Sequence, residues 1–270
     1  YTDSHLHRLF QADDVFARVF SDAADARPDG YDLVMLDSFK WRCIEEKVRH
    51  FRRVPFATMR GYFSGPEFNR TLFSFFRMNQ LLRIDAPSAE VQCSAVPHLC
   101  AAPADRECVE KLEIADGAVA VALGGASPGR SYLHWDKVIR DFLHKKHLPQ
   151  IVLLGSSNAV SMRDKIVETV KPYGVQVIDC VDRYTLTQTF AIVGKCCMAA
   201  CADGGLLHIA NAAQVQTVSL FDRHVSPDMR LTAANHSLAQ QSSGQISDIP
   251  QAKVVEAIAA ALSRAQSKQG

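Results

Sequence analysis

Short, uninterrupted apolar runs alternate with stretches of helical spacing along most of this chain. Ala118–Leu123 and Ile151–Leu154 are apolar throughout and have the length of buried strands. Upstream, Tyr31–Asp37 predicts a strand, Trp41–Arg53 a charged helix and Pro55–Met59 a short strand. Arg70–Leu82 carries Leu72, Phe75, Phe76, Met78 and Leu82 at helical intervals. The stretch Asp85–Asp105, with Pro87, Pro97 and Pro103, marks a passage between two halves, with Val91–Val96 as an edge-strand candidate. The expected division is 1–110 and 111–270.

The second half is the more regular. After Ala118–Leu123 and a Gly124–Gly129 loop, a helix places Trp135, Val138, Ile139, Phe142 and Leu143 on one face. Ile151–Leu154 runs into Gly155-Ser156-Ser157-Asn158 and a helix over Ala159–Val170. Further strands are expected at Val175–Ile178, Cys196–Cys201 and Val215–Phe221, with helices at Leu186–Val193 and Leu206–Ala213 between them. A closing helix over Gln251–Ser263 follows the start signals Asp248 and Pro250. Apolar strands separated by helices predict an α/β fold with parallel sheets covered on both faces. Ligands in such folds sit beyond the carboxyl ends of the strands. That rule selects the loops Gly124–Arg130, Gly155–Asn158, Asp182–Tyr184 and Asp203–His208.

Composition narrows the function. The 270 residues are 47% hydrophobic and carry 30 Lys and Arg against 29 Asp and Glu, a net charge of +1. Such a chain has material for one large or two modest cores, and its charge balance argues against a nucleic-acid partner. No apolar run is long enough for a spanning helix, and the N-terminus lacks a signal-peptide layout. The eight cysteines are irregularly spaced without a C-x-x-C, so Cys196, Cys197 and Cys201 read as small core residues rather than metal ligands. A reducing, cytoplasmic setting is expected.

The sharpest local feature is Asp203-Gly204-Gly205-Leu206-Leu207-His208-Ile209-Ala210-Asn211-Ala212. A strand ends, two glycines admit a phosphate close to the backbone, and a helix offers its free N–H groups and positive dipole end. Asp203 is the expected cap and His208 lies one turn inside. An ordinary glycine turn fits the same letters. Gly124–Gly129 with Arg130 supplies a pliable backbone and a guanidinium suited to phosphate oxygens, or a plain surface loop. Patterns for a P-loop, a G-x-G-x-x-G fingerprint, a G-x-S-x-G elbow and H-E-x-x-H do not occur.

Taken in order, these parts resemble glycosyltransferase family 9, the ADP-heptose:lipopolysaccharide heptosyltransferases. Leu123-Gly124-Gly125-Ala126-Ser127 is similar to the family's Gly-Ala-Ser loop, and Arg130-Ser131-Tyr132 to its Lys-x-Trp element. Leu153-Leu154-Gly155-Ser156 is similar to its Leu-Leu-Gly-Ser strand end. Asp203–Ala212 resembles the signature Asp-[Ser/Thr]-Gly-x-x-His-[Leu/Ile]-Ala-x-Ala, and Val218–Asp222 the closing strand. Coverage is good over about 110–270 and weak over Tyr31–Leu82. Gly204 stands where the family has Ser or Thr, and Arg130 and Tyr132 where it has Lys and Trp. No counterpart of the family's opening Arg-Ile-Gly-Asp loop occurs in Tyr1–Gly30, so the N-terminal domain is expected to be incomplete.

The resemblance implies two Rossmann-like domains of GT-B type and a glycosyltransferase with no bound cofactor, and no carboxylate cluster in the sequence suggests a metal, so metal-independent chemistry is expected. The donor is a nucleotide-diphosphate sugar such as ADP-heptose, and the acceptor an anionic glycolipid or glycan such as the lipopolysaccharide core. Donor contacts fall on Ser127, Gly155, Ser156, Asp182, Asp203, Gly204, Gly205, Leu206 and His208. Arg130 neutralises the leaving diphosphate. Asp37 is the carboxylate left to act as base, although a capping role fits it too. Lys40, Arg42 and Arg60, in a basic stretch that also reads as a solvated helix face, would meet the acceptor. A cytoplasmic protein with peripheral contact to the inner membrane is implied. Another GT-B enzyme, such as a sugar-nucleotide epimerase, or a non-catalytic nucleotide-sugar binder, fits the same features.

Overall fold

The computed structural model describes residues 7–27, 30–60, 69–124 and 130–267. It forms two compact units, one of Tyr1–Val96 with Asp228–Ala234, the other of Pro97–Pro227 with Asn235–Gly270. The first contains helix α1 (His7–Phe10), strand β1 (Val34–Ser38), helix α2 (Trp41–His50), strand β2 (Phe56–Arg60) and helices α3 (Arg70–Leu81) and α4 (Ser88–Ser94). Strands β1 and β2 pair in parallel, Val34 opposite Phe56 and Ser38 opposite Arg60. Asn69 both caps α3, accepting from Leu72 N–H at 2.9 Å, and donates to the carbonyls of Asp228 and Leu231. Thr232 donates to Ala95 O. These bonds tie the returning segment 228–234 to this unit.

The second unit opens with α5 (Pro103–Glu110). It continues β3 (Val119–Ala122), α6 (Trp135–Leu143), β4 (Gln150–Leu154), α7 (Val160–Val170), β5 (Gln176–Asp179), α8 (Leu186–Lys195), β6 (Met198–Ala202), α9 (Gly205–Ala212), β7 (Gln216–Phe221), β8 (Ser237–Gln241) and α10 (Gln251–Gln266). The strands form one parallel sheet in the order β5-β4-β3-β6-β7-β8. Strands β3, β4 and β7 are buried along their whole length, as parallel strands between helices require. Helix α6 turns Trp135, Val138, Ile139, Phe142 and Leu143 inward, and α10 packs Val254, Ile258 and Ala261 into the same core.

The structure corrects several sequence expectations. Val91–Val96 is not an edge strand: Ser88–Ser94 is helical, and the buried residues Val91 and Ala95 are one helical turn apart. The expected passage also contains the start of α5, which packs on α8 and belongs to the second compact unit, beginning at Pro97. Strand β8 was absent from the sequence reading. Its Ser-Leu-Ala-Gln-Gln is half-exposed at the sheet edge, where polar residues pair without leaving an apolar imprint. All eight cysteines are free thiols. Burial pushes Cys180, Cys196 and Cys201 up to about 12, so these thiols stay protonated. Among the described residues, no helix is long and apolar enough to cross a membrane.

Candidate functional site

The sheet order reverses around β3, which has β4 on one side and β6 on the other. The loops leaving β3, β4, β5 and β6 converge beyond their carboxyl ends, where ligands collect in this architecture. They line a cleft of about 270 Å³.

The loops after β4 and β5 are bound to each other. Asp182 N–H donates to Gly155 O at 2.8 Å, and Cys180 N–H to Leu153 O at 2.9 Å. Asp179, at the end of β5, accepts from Val181 N–H and pairs with Arg163 at 3.0 Å and Arg183 at 2.9 Å. This clamp holds Asp182 at φ +58, a left-handed conformation that costs a non-glycine residue of order 1–3 kcal/mol. Gly155 has φ +155, and a Cβ there would come within 2.6 Å of Ala159 Cβ. Only glycine lets this turn close on the first turn after β4.

Helix α9 starts one residue later than the expected Asp203 cap implies. Its N-cap is Gly204, at φ 157 and ψ −168, which has no side chain to cap with. Asp203 instead ends β6: it is buried, and its N–H donates to Leu220 O at 2.8 Å. Leu207 N–H is the first to bond back to Gly204 O, so the N–H groups of Gly205 and Leu206 have no acceptor within the helix. A Cβ built on Gly204 or Gly205 would meet nothing within 4 Å. Free donors, a helix N-terminus and open space therefore coincide, the combination that binds an anion.

Arg130 reaches the cleft from a segment bolted to the start of α10. Ser247 Oγ donates to Ser131 O and accepts from Leu133 N–H, both at 3.1 Å, and Tyr132 Oη donates to Ile249 O at 3.0 Å. Tyr132 and Trp135 are fully buried and meet edge to face. Burial pushes the Tyr132 hydroxyl up to about 12, so it remains a donor at neutral pH. Tyr132 thus acts on the site through position alone. Tyr132→Phe strands the Ile249 carbonyl and is expected to cost about 1–3 kcal/mol. A thermal melt should read this as a drop of several degrees, and an unchanged midpoint would refute the tie.

Of the residues singled out from the sequence, Arg130, Gly155, Ser156, Asp182, Asp203, Gly204, Gly205 and Leu206 all line this cleft. His208, half-buried in α9, is not among the described lining residues. Ser127 lies outside the described residues. Asp37, Lys40 and Arg42 are exposed in the other unit, on β1 and at the start of α2, and Arg60 ends β2. Tyr184 ends the Asp182–Tyr184 loop selected from the sequence, while Leu186 and Thr189, on α8, complete the cleft wall without a sequence expectation. Leu186 is 44% exposed in the first turn of α8, directly after the Thr185 capping box. A leucine following so strong a helix start was the available signal.

The model of the family described as glycosyltransferase family 9 (heptosyltransferase) matches residues 78–259. The fold is shared with the crystal structure of the glycosyl transferase family 9 from Veillonella parvula DSM 2008: TM-score 0.75, 13% identity, 97% of this chain and 87% of that one. It is also shared with E. coli ADP-heptose lps heptosyltransferase II at TM-score 0.63, 16% identity, and 90% and 80% of the two chains. E. coli heptosyltransferase WaaC with ADP follows at TM-score 0.59, 11% identity, and 86% and 73%. No curated protein sequence matches this chain.

Proposed function

From the premise that the chain belongs to glycosyltransferase family 9, we propose that it moves a heptose from ADP-heptose to an anionic glycolipid, a lipopolysaccharide core or a related glycan. The observation that carries this reading is the coincidence, in one cleft, of the N-terminus of α9, the empty space over Gly204 and Gly205, and Arg130. A departing nucleoside diphosphate gains negative charge, and donors already fixed in place stabilise that charge as it forms.

In the proposed step, an acceptor hydroxyl attacks the anomeric carbon of the donor. The bond from that carbon to the diphosphate oxygen breaks, and the diphosphate leaves with the electron pair. Gly205 and Leu206 N–H groups and Arg130 receive its oxygens, while Asp182 and Tyr184 border the remainder of the donor. Burial, the largest influence on Tyr184, raises its pKa, so its hydroxyl remains available to donate. The acceptor proton passes to a carboxylate, which we assign to Asp37, and Lys40, Arg42 and Arg60 meet acceptor phosphates.

Because the charge is compensated by Arg130 and the helix terminus, the proposed chemistry needs no metal and no cofactor. Purified protein should release ADP from ADP-heptose only when a lipopolysaccharide-core acceptor is present, at the same rate with or without EDTA. Abolition by EDTA would refute the metal-free mechanism. Epimerised donor without transfer would replace the transferase reading with an epimerase. Tight ADP binding with no turnover on any glycan acceptor would leave a nucleotide-sugar binder.

A further inference from the structure

A second hollow opens at the same end of the sheet as the cleft, beyond the carboxyl ends of β7 and β8. It measures about 610 Å³ and is lined by Asp222, Arg223, His224, Gly244, Gln245 and Asp248. The segments that form it are laced together. Arg223 N–H donates to Gly244 O at 3.0 Å and Ser242 N–H to Phe221 O at 2.9 Å, while Gln241 Nε2 reaches the carbonyls of Asp222 and Val225.

Both carboxylates in the hollow are held by backbone and not by a cation. Asp222 Oδ1 accepts from His224 N–H at 2.7 Å and Val225 N–H at 3.0 Å, and Asp248 Oδ2 accepts from Gln245 N–H at 2.7 Å. A Cβ at 244 would run into the Asp248 carboxylate, so glycine at this position is what lets that carboxylate lie where it does. Arg223 lines the same hollow and pairs with neither acid. Its Nε donates to His224 Nε2 at 3.0 Å, which puts the imidazole proton on Nδ1. The terminal N–H groups of Arg223, the Nδ1–H of His224 and the second oxygen of each carboxylate have no protein partner among the described residues.

Donors and acceptors therefore face one concavity, fixed in place and not neutralising one another. A phosphate would meet two carboxylates here, and a metal ion a guanidinium. A nucleoside base or an acyl chain would find no apolar side chain among the described lining residues. A sugar ring fits, because each hydroxyl both donates and accepts: one can donate to a carboxylate oxygen while its neighbour accepts from the guanidinium.

We propose that this hollow binds an uncharged sugar unit of the acceptor glycan. The inference rests on the reading of the acceptor as a glycan given above. The turn Ile246–Asp248 serves this hollow and the cleft together, since Asp248 lines the one while Ser247 holds Ser131 and Leu133, next to Arg130 of the other.

The test is titration calorimetry of the full chain, without donor, against a deacylated lipopolysaccharide-core oligosaccharide stripped of its phosphates. Saturable binding is expected. Arg223→Gln keeps the backbone bond to Gly244 but removes the charged donor, and should weaken binding about tenfold. Asp248→Asn keeps an acceptor for Gln245 N–H but removes the charge, and should weaken it about fivefold. Both variants should hold the parent's thermal midpoint and ADP affinity, since neither side chain lines the cleft. A parent chain that ignores the oligosaccharide, or an Arg223→Gln variant that binds it as the parent does, would overturn the proposal. So would an Arg223→Gln variant weakened only toward the oligosaccharide with its phosphates left on, which would make the hollow an anion site. Failure of the transferase reading looks different: the oligosaccharide would still bind, but ADP would not, and no sugar would be transferred.

Discussion

Gly205→Val is expected to abolish ADP binding while leaving the fold intact. The residue is the first of α9, its φ lies outside the positive region, and a Cβ placed on it would meet no protein atom within 4 Å. Nothing in the protein lies against the Cβ there, so the added bulk points into the space proposed for a bound group. The displaced group would be the diphosphate that the N–H groups of Gly205 and Leu206 receive in the proposed mechanism. Two charge-assisted hydrogen bonds at about 1.5–3 kcal/mol each predict a loss of affinity of at least about 100-fold. The thermal midpoint should move little, since valine in a first helical turn costs well under about 1 kcal/mol. Titration calorimetry showing parental ADP affinity in this variant would remove the phosphate site from α9. Gly155 offers no such separation of ligand from scaffold, because its Cβ would collide with Ala159.

Arg130→Ala should cut sugar-transfer turnover roughly 10- to 150-fold, equivalent to one charge-assisted contact of about 1.5–3 kcal/mol. Arg130 is exposed on the rim of the cleft, so its removal takes little from the core, and the melting temperature should hold. Arg130→Lys should recover part of the rate, since the charge remains while the forked geometry is lost. The neighbouring Tyr132 supplies the contrast, because its buried hydroxyl makes it a stability residue. An Arg130→Ala protein that melts early yet turns over normally would reverse these two roles.

Tyr132 also illustrates the limit of letter matching. In sequence, Arg130-Ser131-Tyr132 resembles one functional triplet. In the structure its members separate: Arg130 is exposed beside the cleft, Ser131 accepts from Ser247 Oγ through its backbone carbonyl, and Tyr132 is buried with its hydroxyl on Ile249 O. Asp203 separates similarly. A residue type that so often caps helices is here the buried end of β6, because the next position takes a backbone conformation only glycine adopts readily.

What the sequence determined by itself was whatever local pattern controls. Continuous apolar runs at 118–123 and 151–154 can be satisfied only by burial on both faces, and they became β3 and β4 of the parallel sheet. Gly204 and Gly205 at a strand-to-helix junction pointed to the cleft that both residues line, where a Cβ on either would meet nothing within 4 Å. Tertiary structure decided everything that depends on residues distant in sequence. It decided that strand order reverses around β3, which gathers four separate loops about one cleft. It recruited β8 to the sheet edge and Leu186 and Thr189 to the cleft wall. It also returned 228–234 to the first unit through Asn69 and Thr232. The physical reason is that strand and helix periodicities report which face of an element is buried, whereas nothing in a local window records which neighbour does the burying.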